Sequence, residues 1–205
     1  DFLAVFLAKK TRLNGLLQSV AFSPYIVSLA SIALLWMWLM NNDFGFLNAL
    51  LAVFGIPAID WLGSPKFALM SLIIINVWKS VGYNALILVS ALQGIPPHLY
   101  EAARLDRANT WRTFSRITFP MISPTVFFLA LVDVIAAFKV FETIQIITQG
   151  GPQNSTNTLV FSLYEYGFQF YKVGYAAAIG VVLFFIVLLF TILYFAVLSK
   201  RVHYQ

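Results

Sequence analysis

The chain is predicted to be all-α, a polytopic bundle of transmembrane helices. Three observations carry that expectation. Hydrophobic residues fill 60% of its 205 positions and charged residues only 10%, too little polar surface to cover a soluble domain. Aromatic residues reach 17%, which fits belts at two membrane interfaces. The apolar stretches are continuous rather than alternating, so helices, not a closed barrel, satisfy the backbone in lipid.

Taken in order, the first run, Phe2 to Ala8, is too short to span and stops at Lys9-Lys10. It reads as the tail of a span (1–9, partial), so the single domain 1–205 is expected to be N-terminally incomplete. Crossing a hydrocarbon core takes ~20 helical residues, and complete spans are expected at about 20–40, 67–92, 121–143 and 174–198. Between the first two of these, 44–54 is too short to span and meets Gly55, a helix stop. Thr148 to Pro152 and Asn154 to Asn157 read as exposed loop. Residues 158–171, with Phe161, Tyr164, Tyr166, Phe168, Phe170 and Tyr171, suit a short helix at the outer interface. No internal repeat stands out.

Basic residues set the orientation. Lys9, Lys10, Arg12, Arg104, Arg107, Arg112, Arg116, Lys200 and Arg201, nine of the thirteen cations, share one side if the spans alternate. The other side holds Lys66 and Lys172 beside Asp43, Asp60 and Glu165. The positive-inside rule then places the 93–120 loop and the C-terminus in the cytoplasm. Because the cations sit at span ends, the net charge of +5 does not indicate nucleic acid.

Several chemistries drop out. Without cysteine there is no disulfide, thiolate site or Cys nucleophile, and His98 and His203 have no neighbouring metal ligands. No Gly-Lys pair occurs, so no phosphate loop is present, and neither HExxH nor GxSxG is found. The chain is not expected to be an enzyme.

Charges do occur inside the spans. Lys79 and Asp133 each lie about twelve residues from a span end, which at ~1.5 Å per residue is near mid-bilayer. An unpaired charge there is costly, so each should face protein or water. Two readings stand: a polar translocation path lined by Lys79, Tyr83, Asn84 and Asp133, or a structural ion pair that fixes two spans.

The loop between the second and third complete spans is a charged island: Glu101-Ala102-Ala103-Arg104-Leu105-Asp106-Arg107-Ala108, then Trp111-Arg112, closed by Ile117-Thr118-Phe119-Pro120. Pro96-Pro97 breaks the preceding span, and Pro97 can open a short helix over 98–106. Ala102 and Ala103 are small enough for another surface to approach closely. Taken alone, such an element also fits a basic helix held at the membrane by anionic lipid.

These residues resemble the EAA signature of permease subunits in binding-protein-dependent ABC importers. The upstream Ala91-Leu92-Gln93-Gly94-Ile95-Pro96 and the downstream Gly150-Gly151-Pro152 resemble the carbohydrate-uptake branch, with its maltose-type and glycerol-3-phosphate-type permeases. The resemblance covers essentially the whole chain. It implies a helix bundle of the ABC importer permease type, in a bacterial or archaeal plasma membrane, paired with a second permease as a heterodimer. Glu101, Ala102, Ala103, Asp106 and Arg107 would form the coupling element, docked on a cytoplasmic ABC ATPase dimer that holds ATP and Mg; no cofactor is expected on this chain. An extracytoplasmic solute-binding protein would deliver a sugar, oligosaccharide or glycerol phosphate to loops 41–66 and 144–173. By the same resemblance Phe138, Phe141 and Glu142 are candidates for touching the solute, since aromatic faces suit sugar rings and carboxylates suit hydroxyls; Lys139 and Gln145 lie beside them.

One position departs from the family. Arg107 stands where Gly is usual, so the turn is expected either to move toward Asn109 or to give way to a longer helix. The competing functions are a secondary transporter driven by an ion gradient through Lys79 and Asp133, and a scaffold subunit with no pathway. The first shows no clear repeat and leaves the charged loop unexplained; the second is tested by whether the intramembrane polar residues can change to Ala without altering transport.

Overall fold

Every regular element is helical among the residues that the computed structural model describes, 12–198 together with Ala4 and Leu7. The expected partial span 1–9, its Lys9 and Lys10, and the C-terminal Lys200, Arg201 and His203 therefore lie outside the described residues, apart from Ala4 and Leu7. The elements are α1 (Arg12–Ile26), α2 (Leu29–Leu39), α3 (Phe46–Val53), α4 (Pro65–Gln93), α5 (Pro97–Leu105), α6 (Thr110–Thr113), α7 (Phe119–Phe138), α8 (Leu159–Tyr164) and α9 (Val173–Leu198). Single π-helical turns occupy Phe114–Thr118, Ile144–Thr148 and Glu165–Gln169. Because the first π turn joins α6 to α7 without a gap, Thr110–Phe138 is one continuous rod.

Among the described residues, three helices are long and apolar enough to cross a membrane: Pro65–Gln93, Thr110–Phe138 and Val173–Ala196. The single helix expected over 20–40 is instead two, with α1 and α2 bent by 99° at their break. Pro24 lies inside α1, two residues before its last residue. It lacks the N–H that Val20 would accept, and its ring crowds the preceding turn; the Ser23 hydroxyl donates to the Val20 carbonyl at 2.9 Å in its place. The helix expected over 121–143 ends at Phe138, and the chain turns at Lys139 before helical geometry resumes at Glu142.

The chain forms two compact units. One takes residues up to Ser23, Val81–Val134 and those from Leu189 onward. Its core joins Ala4, Leu7, Ala85, Leu88, Val89 and Leu129. Gly82 lets α4 meet α1: a methyl group at Gly82 would overlap the Ala21 carbonyl. The Tyr194 hydroxyl of α9 donates to the Phe127 carbonyl at 2.8 Å.

The other unit takes Pro24–Ser80 and Ile135–Leu188, with Ile32, Met40, Leu72, Ile75, Ile144 and Phe161 as its core. Its segment 41–64 is pinned by Asn48, whose side chain accepts from the Ile59 amide and the Trp61 indole and donates to the Asn42 and Ile59 carbonyls at 3.0–3.3 Å. Gly55, at φ 69°, ends α3 in a left-handed turn open to glycine.

Candidate functional site

The charged loop folds into a defined element. Pro97 sits in the first turn of α5, where its missing N–H costs nothing. The helix stops at Leu105 in a Schellman turn: the Ala108 amide donates to the Ala103 carbonyl at 2.9 Å and the Arg107 amide to Arg104 at 3.0 Å. Arg107 itself adopts the left-handed conformation, at φ 51°. The turn has neither moved to Asn109 nor dissolved into a longer helix, because these two bonds repay an arginine for a backbone angle that glycine takes freely. Asn109 has a different task. Its side chain caps α6, accepting from the Arg112 amide at 2.7 Å.

Of the coupling candidates, Glu101, Ala102, Asp106 and Arg107 are exposed, whereas Ala103 is only 8% exposed and faces its own chain. Two side chains missed by motif reasoning stand out instead: Leu105 is 85% exposed and Trp111 74%. The available signal was their chemistry, two apolar residues in a polar loop that no span needs to bury. Behind α5 lies a cavity of about 460 Å³ whose lining includes Tyr100, Arg104, Thr110, Thr113 and Thr118. The hydroxyls of Tyr100 and Thr118 share a hydrogen bond at 3.1 Å there.

The intramembrane candidates divide into separate groups. Asn84 on α4 donates its side-chain amide to the Asp133 carboxylate on α7 at 2.6 Å. Asp133 is exposed on the surface of the chain, and the Asn84 carbonyl oxygen is buried without a hydrogen bond. Tyr83 packs beside this pair against the core around Ala85. Lys79 has other partners: its ammonium donates to the carbonyls of Pro24, Tyr25 and Val27 at 3.3, 3.4 and 3.0 Å.

Around the third group, Phe141 is half-buried, its ring 5.0 Å from that of Tyr164 and 6.4 Å from that of Phe161. Tyr164 stacks on Phe168 at 5.6 Å. Glu142 is exposed beside Phe141, and Phe138 ends α7. The Gln145 side-chain oxygen is buried with no hydrogen bond.

A helix bundle with this loop and these buried polar groups invites comparison with known membrane transport components. The family described as binding-protein-dependent transport system inner membrane component matches residues 2–204. The chain belongs to this family. It is similar to curated relatives over most of its length. It is 36% identical over 207 aligned positions to the sn-glycerol-3-phosphate transport system permease protein UgpA of Escherichia coli O157:H7, covering 100% of this chain and 69% of that protein. It is 33% identical over 197 positions to the trehalose/maltose transport system permease protein MalF of Thermococcus litoralis, covering 95% and 65%. A probable ABC transporter permease protein of Brucella suis biovar 1 is 36% identical over 179 positions, covering 86% and 62%. The chain thus spans about two thirds of the length of these relatives. Among solved structures, a bacterial ABC transporter involved in the import of the acidic polysaccharide alginate superposes with a TM-score of 0.82 at 25% identity, covering 95% of this chain and 72% of that one. The alginate transporter in complex with its pentasaccharide-bound periplasmic protein gives 0.88 at 24% identity over 98% and 70%, a likeness of fold. The all-α permease bundle expected from composition and motif is the fold observed.

Proposed function

We propose that this chain is the transmembrane permease subunit of an ATP-driven importer that moves a sugar, oligosaccharide or glycerol phosphate across the plasma membrane. The observation that carries the reading is the continuity of Thr110–Phe138. Trp111 and Asp133 stand on one helical rod, roughly 33 Å apart at 1.5 Å per residue. A push at the exposed end is carried toward the polar end along one unbroken helix, past the π turn at Phe114–Thr118 and Pro124.

The parts then have the following roles. A cytoplasmic ATPase dimer, holding ATP and Mg on its own residues, receives α5 with Glu101, Ala102, Asp106 and Arg107. Leu105 and Trp111 supply the apolar anchors; large apolar side chains at the centre of an interface contribute most of its binding energy. Closure of that dimer displaces the loop and rocks the rod. Paired with a second permease, the chain alternates access to a path that includes Tyr83, Asn84 and Asp133. Since an exposed carboxylate cannot be left against lipid, Asp133 needs water or a partner chain before it. Phe138, Phe141 and Glu142 offer ring faces and a carboxylate to solute hydroxyls. An extracytoplasmic binding protein presents solute to loops 41–66 and 144–173. Arg104, Arg107, Arg112 and Arg116 support placing this loop, and with it the C-terminus, in the cytoplasm.

The chain has no cysteine, so a single cysteine at Ala102 gives a clean crosslinking probe in native membranes. Capture of an ATPase is the expected result, reduced by Trp111→Ala. Capture of lipid alone by a folded, inserted protein would overturn the importer reading in favour of a gradient-driven transporter.

A further inference from the structure

We propose that Lys79 is a positioning residue that closes the break between α1 and α2, capping the backbone carbonyls that the break exposes. A helix leaves its last four carbonyls without an intrahelical donor. In α1, which ends at Ile26, these include Pro24 and Tyr25, and Val27 lies in the break itself. In a lipid span no water is available to bond them, so they need a protein donor. An ammonium group has three N–H donors. At Lys79 all three can be used, on Pro24, Tyr25 and Val27 at 3.3, 3.4 and 3.0 Å. A cation is also the favoured charge at a helix C-terminus, and the Tyr25 ring lies 5.9 Å from the ammonium, where its face adds to the attraction.

The arrangement answers both halves of a membrane problem. Three orphan carbonyls would be costly beside lipid, and so would a lone ammonium. Placed together, each satisfies the other. Glu142 acts on Lys79 electrostatically, yet the ammonium bonds to carbonyls rather than to that carboxylate. A cation serving an anionic solute must keep donors free to reach it, and Lys79 has committed its donors to the backbone.

The test is amide hydrogen exchange over residues 24–32, measured on the complex purified from native membranes into lipid nanodiscs; it needs neither solute nor ATP. Lys79→Met should speed exchange in this segment by at least about tenfold, as local opening becomes easier. Lys79→Arg, which keeps the charge and the donors, should restore slow exchange. Wild-type exchange in Lys79→Met would overturn the assignment. Should the methionine variant fail to assemble, Lys79→Gln, with two amide donors, decides the matter. Intermediate exchange supports the cap, and wild-type exchange overturns it. If neither Met nor Gln assembles, rescue of assembly by Arg supports the cap, and failure of Arg as well overturns it.

Discussion

Asn84 donates to the Asp133 carboxylate at 2.6 Å, a charge-assisted bond that ties α4 to the Thr110–Phe138 rod. Removing the donor should therefore cost more than removing both partners. Asn84→Ala leaves the carboxylate without its protein donor, a loss of about 1–3 kcal/mol. Adding Asp133→Leu to Asn84→Ala should recover part of it. A double-mutant cycle on the apparent melting temperature of the purified complex is expected to give a coupling of about 1 kcal/mol, in the range measured for interhelical hydrogen bonds in membranes. A cycle that closes at zero would remove this bond from the account of how the two helices are held.

Arg107 holds a left-handed backbone angle that costs a non-glycine residue roughly 1–2 kcal/mol. Arg107→Gly should stabilise the loop by about 1 kcal/mol, slowing hydrogen exchange across 104–113, while Arg107→Val should speed it. Arg107→Asn removes the same charge but tolerates the conformation, so it separates backbone from charge. If Gly and Val shift exchange alike, the charge is what matters at this position.

Gly82 admits no side chain, because its Cβ would overlap the Ala21 carbonyl of α1, whereas Gly15 and Gly174 face open space. Gly82→Ala should force the two backbones apart and lower stability by roughly 1–3 kcal/mol, the usual cost of overpacking. Gly15→Ala should be neutral or stabilising by up to about 1 kcal/mol, since alanine is the better helix former. Thermal unfolding of the two variants side by side checks this, and equal behaviour would show that α1 and α4 have room to spare.

Fold class was legible because composition and run length answer directly to the thickness of a bilayer. The family was legible because charge and small residues cluster where a span could not hold them. The break after Ile26 was not. Apart from Ser23 the residues around Pro24 are apolar or aromatic, and proline is common inside membrane helices whose backbone is rebonded by neighbours. The group that bonds the carbonyls at the break is Lys79, 52 positions beyond Val27 in the chain, a distance over which local pattern carries no information. Within the coupling element, helical spacing locates the faces only once the packing partner is known. Ala103 is turned inward and Leu105 outward, while Tyr100 and Arg104 of the same helix line the cavity. The same holds mid-membrane: that Asn84 rather than Lys79 meets Asp133 depends on which face of α4 meets α7, and a helix with Asn76, Lys79, Ser80 and Asn84 spread around it does not state its rotation.

That last problem is sharpest in α9, of which only 6% is buried across its apolar window. With no patterned face, its rotation is set by a few specific contacts, among them the Tyr194 hydroxyl on the Phe127 carbonyl, the Phe195 ring 5.4 Å from that of Phe127 and the Tyr175 ring 4.6 Å from that of Tyr166. Structural information is thus stored very unevenly along this helix. Its fixed points are aromatic clusters near its two ends rather than a stripe along its length.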